Sequence, residues 1–249
     1  MKVKSILVSQ PEPQAGNNPY AQIADKHKVK VDFRPFIEVK GVAAADFRKD
    51  KVSPADYKAF IFTSRNAIDH FFRMCEEMRV AINPEWKYFC VSEAVAFYLQ
   101  KFVPYRKRKI YPGTGSLAGL IPTLKKQRGE QFLLPTSDIL NPDIPELLEK
   151  GNIKWTRAIM YHTVASDLSD LSDVKYDILV FFSPEGIRSL FKNFPDFKQE
   201  NTRIAAFGNT THQAIEENAL RLDIQVPTPK FTSMSQALDA YIEEANKGK

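Results

Sequence analysis

Hydroxyl-bearing residues stand at the ends of several short apolar runs in this chain, where they could hold an anion. Thr63 and Ser64 follow the run Ala59–Phe62, and Arg65 adds a positive charge beside them. Ser183 closes the run Asp177–Phe182, and Gly208, Thr210 and Thr211 follow Arg203–Phe207. Each group lies where an apolar run gives way to helical spacing. The unpaired N–H groups at a helix start, with hydroxyls beside them, favour negatively charged ligands. Gly208 would let the backbone approach such a ligand closely. The same residue types are also ordinary helix caps, and Ser183 before Pro184 suits a first helical turn. Both readings stay open for any single residue, and recurrence at matching positions is what favours a binding site.

The usual catalytic groups are missing from the sequence. His27, His70, His162 and His212 have no metal-ligand spacing, and Cys75 and Cys90 form neither a metal motif nor a disulfide framework. No His-Glu-x-x-His, Gly-x-Ser-x-Gly, Walker or Gly-x-Gly-x-x-Gly pattern occurs. Pro112-Gly113-Thr114-Gly115-Ser116 comes nearest to a phosphate loop but lacks the Lys-Ser/Thr that should follow. Arg106-Lys107-Arg108-Lys109 reads as a solvated edge strand guarded by charge, with nucleic-acid binding as the other reading. His162, between Tyr161 and Thr163, reads as structural.

The elements that must position these residues repeat. Ser64 and Ser183 are 119 positions apart, Ser92 and Gly208 are 116 apart, and Ser116 and Ser233 are 117 apart. Three weak similarities in one order, at nearly one spacing, indicate two copies of one fold, and a pair of like domains normally has a cleft. The period far exceeds that of solenoid repeats and matches an ordinary domain. Lys4–Val8, Val29–Phe33, Ala59–Thr63, Tyr88–Val91, Gln131–Leu134, Asp177–Phe182 and Arg203–Phe207 read as strands. Continuous apolar runs of this kind suit a parallel sheet buried on both faces. Ile68, Phe71, Phe72 and Cys75 follow the first unit at helical spacing, as Ile187, Leu190 and Phe191 follow the second. The pattern predicts an α/β chain with doubly wound parallel sheets.

The repeat does not halve the chain, because its first-half motifs begin only at Ala59. A discontinuous domain uses every element: 1–36 with 165–249, interrupted by an inserted domain over 40–158. The crossings, about 33–40 and 154–164, read as extended and able to pair as a two-stranded link. Asn246-Lys247-Gly248-Lys249 reads as a frayed tail.

A hydrophobic content of 43% and a charged content of 26% place the chain among soluble globular proteins. No apolar run approaches the roughly 20 residues of a membrane span. The apolar run Ile6–Val8 is too short for a signal peptide, so a reducing cytoplasm is expected. The net charge of +5 favours an anionic partner.

With these motifs in order, the chain resembles the uroporphyrinogen-III synthase family. The resemblance rests on Phe62–Ile68, Tyr161-His162-Thr163, Phe182–Gly186, Ala205–Thr211 and Val226-Pro227-Thr228-Pro229 before a helix from Ser233. It implies two flavodoxin-like α/β domains joined by a two-stranded β-ladder. It also implies a lyase that cyclises hydroxymethylbilane with inversion of the last pyrrole ring, in haem biosynthesis. The implied substrate carries eight carboxylates, which Thr63, Ser64, Arg65, Ser183, Gly208, Thr210 and Thr211 would receive. The resemblance further implies no cofactor, no metal, no nucleic-acid or membrane partner, and a monomer. Tyr161 matches the linker tyrosine that assists hydroxyl departure in the family; a plain strand aromatic is the other reading. Three segments depart from the pattern: Ser9-Gln10-Pro11 stands where Thr-Arg-Pro is common, Ser92 is the counterpart of Gly208, and Val95 replaces a threonine. A non-enzymatic two-domain receptor for an anionic metabolite is the competing expectation.

Overall fold

Alternating residues of the central strands belong to different hydrophobic clusters, which is what a sheet covered on both faces requires. The computed structural model describes residues 2–13, 16, 18–127, 129–171 and 173–247. It divides into two compact units, residues 1–38 with 164–249 and residues 39–163.

The first unit holds β1 (Ser5–Val8), α1 (Pro19–His27) and β2 (Lys30–Phe33) from the start of the chain. To these it adds β9 (Ile178–Phe181), α7 (Pro184–Asn193), β10 (Arg203–Phe207), α8 (Asn209–Glu217), β11 (Ile224–Val226) and α9 (Met234–Lys247). The spatial order is β11-β10-β9-β1-β2, and β1 with β2, β1 with β9, β9 with β10 and β10 with β11 all pair in parallel. Numbered by first appearance in the unit, this is the 2-1-3-4-5 order of a doubly wound sheet, whose direction of winding reverses between β1 and β9. Ile6, Val8, Ile178 and Val180 pack with Tyr20, Ile23, Met234 and Leu238 of α1 and α9. Leu7, Leu179 and Phe181 turn the other way, onto Ile187, Leu190 and Ile215 of α7 and α8. Residues 246 and 247, expected to fray, belong to α9, and Asn246 Oδ1 accepts from Val3 N at 3.0 Å. Gly248 and Lys249 lie outside the described residues.

The second unit runs β3 (Ile37–Gly41), α2 (Ala44–Phe47), β4 (Ala59–Phe62), α3 (Arg65–Glu77), β5 (Lys87–Cys90) and α4 (Glu93–Tyr98). It continues with β6 (Ile110–Pro112), α5 (Leu117–Lys125), β7 (Phe132–Ser137), α6 (Asp143–Lys150) and β8 (Trp155–Ala165). Its order is β3-β8-β7-β4-β5-β6. Apart from β3, this is the first unit's arrangement entered at a different strand: β4, β5 and β6 stand where β9, β10 and β11 stand, and β7 and β8 where β1 and β2 stand. A circular permutation therefore underlies the repeat, and it explains why only three pairs of motifs keep a constant offset. Phe60 and Phe62 face Phe71, Phe72 and Trp86, while Ala59 and Ile61 face Leu120, Leu124 and Leu148. Full burial of a phenylalanine of this kind contributes about 1.5–3 kcal/mol. Burial also pushes the Cys75 and Cys90 thiols up to about 12, which keeps them protonated and unreactive.

Two elements differ from the sequence expectation. β7 extends through Pro135 to Ser137, although a proline normally ends a central strand. Beyond Leu133 it pairs with β8 alone, so the missing N–H of Pro135 interrupts no ladder on the β4 side. The basic run 106–109 forms a turn rather than a strand, and the edge strand β6 begins only at Ile110.

Candidate active site

The expected anion-binding residues fall at the carboxyl ends of strands, where Ser64, Ser183 and Gly208 cap the helices that follow. In the second unit Ser64 caps α3, its hydroxyl accepting from Ala67 N at 3.1 Å. That bond and the helical geometry leave the Arg65 and Asn66 N–H groups without partners inside the helix. They add to the positive end of a 13-residue helix. Thr63, half-buried, lies directly before the cap. Arg65 is exposed, its guanidinium 5.3 Å from the centre of the Tyr98 ring.

Tyr161 lies on β8, only 7% exposed, with its hydroxyl 3.4 Å from Ser64 Oγ. Its ring stacks on His70 of α3, with centroids 4.9 Å apart and planes 19° apart. Burial raises the Tyr161 pKa above the ordinary tyrosine value, although the Ser64 hydrogen bond opposes the shift. The hydroxyl therefore keeps its proton at neutral pH. Ser64 can accept from Ala67 and still give its own proton to the Tyr161 oxygen, which leaves the Tyr161 proton for another acceptor.

His70 is held in turn by Arg73. Arg73 Nε donates to His70 Nδ1 at 3.2 Å, so the neutral ring carries its hydrogen on Nε2. The same guanidinium donates to the carbonyls of Val42 (2.9 Å) and Met160 (3.1 Å), and pairs with Glu77. It passes so close to Gly41 that a Cβ there would lie 2.8 Å from Arg73 Cζ. α3 is thus tied to β3 and β8 beside Tyr161. Burial, then the Arg73 charge, lowers the His70 pKa below its ordinary value, while Asp69 and Glu77 oppose the shift. A depressed value means that the folded state prefers neutral His70. Its contribution to stability is complete above about pH 6.5, the unfolded value, and is lost as pH falls through the folded one. We expect the melting temperature of wild type relative to His70→Phe to decline on acidification below about pH 6.5. Parallel melting curves across that range would discard this account of His70.

In the first unit Ser183 caps α7 and Gly208 caps α8, at the ends of the adjacent strands β9 and β10. The two helix starts are not equivalent. Pro184 has no N–H, Gly186 N is taken by Ser183 Oγ at 3.3 Å, and the remaining N–H belongs to acidic Glu185. The start of α8 is better suited to an anion, since Asn209 and Thr210 are exposed and lie in the first turn, where N–H groups lack helical partners. Thr211 is only 1% exposed, and its N–H donates to the Gly208 carbonyl at 3.0 Å. Its hydroxyl therefore packs inward, away from solvent. Gly208 adopts φ 89° and ψ 147°, whereas its counterpart Ser92 has φ −147° and ψ 163°. The extended backbone at Ser92 accepts any residue, which accounts physically for that departure. His212 is buried, its Nε2 within 3.0 Å of the Ala206 and Val226 carbonyls, so it fastens β10 to β11.

Sequence reasoning missed the end of β7. Arg157 on β8 donates to Thr136 Oγ1 (3.0 Å) and to the Ser137 and Asp138 carbonyls (2.8 and 2.7 Å), while Asp138 accepts from Thr163 N and pairs with His162. The run Thr136-Ser137-Asp138 matched the other strand ends in composition, and Pro135 masked it. Among the described residues no cluster of His, Cys, Asp and Glu could hold a metal ion.

A family model described as uroporphyrinogen-III synthase HemD matches residues 18–236. The chain belongs to the uroporphyrinogen-III synthase family. A uroporphyrinogen-III synthase of Chlorobaculum parvum is 23% identical over 244 residues, covering 89% of this chain and 92% of that relative. One of Saccharomyces cerevisiae is 25% identical over 125 residues, 45% of this chain and 46% of its own. The crystal structure of the Helicobacter pylori uroporphyrinogen-III synthetase gives a TM-score of 0.65 at 18% identity, covering 97% of this chain and all of that one. A mutant uroporphyrinogen III synthase of Thermus thermophilus gives 0.61 at 14% identity, with 98% and 100% covered. These structures share the two-sheet α/β fold described above. The chain is accordingly an enzyme of tetrapyrrole biosynthesis acting on a small molecule, and a non-enzymatic receptor is not favoured. Among the described residues no helix is long and apolar enough to cross a membrane.

Proposed function

We propose that this chain is a cyclising lyase that closes linear hydroxymethylbilane with inversion of its terminal ring. The observation that carries the reading is the buried, protonated Tyr161 beside the Ser64 cap, in a chain matched by the family model over residues 18–236. The terminal hydroxymethyl group ionises as the pyrrole nitrogen pushes electrons through its ring and breaks the C–O bond. The departing hydroxide becomes water by taking up one proton, balanced by the proton that the last pyrrole's ring carbon loses when the macrocycle closes. Tyr161 donates a hydrogen bond to that oxygen as negative charge builds on it. The resulting azafulvene is attacked by the last pyrrole to give a spiro intermediate, which reopens and closes with that ring inverted. Because the pyrroles stabilise the cation, the protein's main tasks are to hold one closure geometry and to exclude water. No metal or cofactor is needed for these steps.

Substrate carboxylates are received at the carboxyl edge of each unit. In the second unit these are Thr63, Ser64 and Arg65 at the start of α3; in the first they are Ser183 and Thr210, with Gly208 and Thr211 shaping the first turn of α8 rather than touching the carboxylate. The open N–H groups of Arg65, Asn66, Asn209 and Thr210 favour α3 and α8 over α7, and Thr211 acts through the cap it completes. We place the enzyme in the cytoplasm as a monomer, on the grounds of its unreactive free thiols and its net charge of +5. Supplying hydroxymethylbilane and separating the uroporphyrinogen isomers tests the reading directly. The inverted isomer is expected in excess; the uninverted product of spontaneous closure alone would overturn it.

A further inference from the structure

The second unit exposes two large aromatic side chains beside a cation that has no carboxylate partner among the described residues. Phe97, on α4, is 74% exposed, and Tyr105, in the loop before β6, is 46% exposed. Both line a groove of about 590 Å³ together with Arg65, Glu93, Gln100 and Pro112. The groove lies at the carboxyl ends of β4, β5 and β6, because Arg65 opens α3, Glu93 opens α4 and Pro112 ends β6. Among the described residues Arg65 pairs with no acid. Its guanidinium lies over the Tyr98 ring at 5.3 Å, and Tyr98 is fixed by hydrogen bonds from its hydroxyl to both carboxylate oxygens of Asp69, at 2.8 and 2.9 Å. A planar guanidinium parked on an oriented ring has lost much of its freedom before any ligand arrives, so little more is lost on binding.

An exposed phenylalanine on a six-residue helix gains nothing for the fold, since its ring stays in water. The groove it lines combines features that seldom serve one ligand: an aromatic shelf, an oriented cation and the carboxylate of Glu93. A simple carboxylate would be repelled by Glu93, and a simple cation by Arg65. A carboxylated pyrrole satisfies all three. Its π face stacks on Phe97 and Tyr105, its ring N–H donates to Glu93, and one of its carboxylate arms pairs with Arg65.

We propose that this groove is a subsite for one carboxylated pyrrole ring of the substrate, with Phe97 as the stacking platform, Arg65 as the carboxylate clamp and Glu93 as the acceptor for the ring N–H. The inference rests on the reading of the chain as acting on hydroxymethylbilane. Phe97 and Glu93 then select a pyrrole over other anionic rings, a task that hydroxyls and helix ends cannot perform, because those groups see only the carboxylates.

The test is steady-state kinetics with hydroxymethylbilane, isomers separated, on wild type, Phe97→Ala, Arg65→Ala, the double variant and Lys107→Gln. Inverted product from wild type secures the underlying reading, and its absence would defeat that reading rather than the subsite. Given an active wild type, Phe97→Ala should raise KM about tenfold, as expected for a lost aromatic stack with its burial. kcat should stay within about twofold, since the platform holds ground and transition states alike. The double variant should raise KM by less than the product of the single effects, because both side chains grip one ring. Lys107→Gln, outside the groove, should leave KM unchanged. Unaltered KM in folded Phe97→Ala overturns the subsite, as does an equal rise in Lys107→Gln, which would mean general charge attraction. Sedimentation of the same proteins supplies the other adverse outcome: an oligomer in wild type that Phe97→Ala dissociates, with KM unchanged, makes the shelf a protein contact instead.

Discussion

Replacing Tyr161 with phenylalanine should lower the rate of inverted ring closure about tenfold, equivalent to about 1.4 kcal/mol, while the protein stays folded. Only the hydroxyl is removed, so the ring keeps its stack on His70. The lost hydrogen bond to Ser64 is long at 3.4 Å, and Ser64 Oγ still accepts from Ala67 N, so no buried polar atom is orphaned. Stability should therefore change by less than about 1 kcal/mol. General acid assistance typically supplies about 10²–10⁴-fold, and the smaller figure reflects a leaving group already expelled by the pyrrole. The pH profile separates this role from a structural one. Burial holds the phenol pKa above its ordinary value, so the ratio of wild-type to variant rates should stay level from about pH 6 to 9 and close only in stronger alkali. Wild-type turnover in folded Tyr161→Phe would remove the residue from the mechanism.

The structure explains which parts of this design could be read from the residues alone. β4, β9 and β10 are buried on both faces, and their apolar runs are continuous for that reason. The serine caps of α3 and α7 follow those runs directly, so the repeat was visible wherever strand, cap and helix succeed one another without interruption. The short edge strands β6 and β11 escaped because three residues each are too few to show a strand period, even though Ile224 and Val226 of β11 are buried. The end of β7 was hidden by Pro135, whose tolerance depends on pairing that local sequence does not encode. Arg73 and His70 were invisible as a pair with Tyr161 because they join it across 88 to 91 positions, through a contact made by tertiary packing. Thr210 and Thr211 look alike in sequence, yet one faces water and the other the core, since the first turn of α8 rotates consecutive side chains by about 100°.

Gly208→Ala should be the most damaging single change at the start of α8. The residue sits at φ 89° and ψ 147°, a region reserved for glycine, so alanine there is strained by about 1–3 kcal/mol. A Cβ would meet nothing within 4 Å, and the cost is therefore conformational rather than a clash. The strain falls on a junction: Gly208 N donates to the Val226 carbonyl at 2.7 Å, while the Gly208 carbonyl accepts from Thr211 and His212 N at 3.0 and 3.1 Å. Any relaxation that relieves φ must tilt the first turn of α8 or loosen it from β11. Either movement redirects the Asn209 and Thr210 N–H groups proposed to receive a substrate carboxylate. The expected result is a melting temperature lower by roughly 2–10 °C, together with a higher KM for hydroxymethylbilane. Ser92→Ala makes the matched control, because that residue is extended and loses only a cap worth about 1 kcal/mol. If Gly208→Ala melted with wild type, the backbone strain assigned to this position would be refuted. If it melted early but kept the wild-type KM, the start of α8 would be a structural joint with no part in holding the substrate.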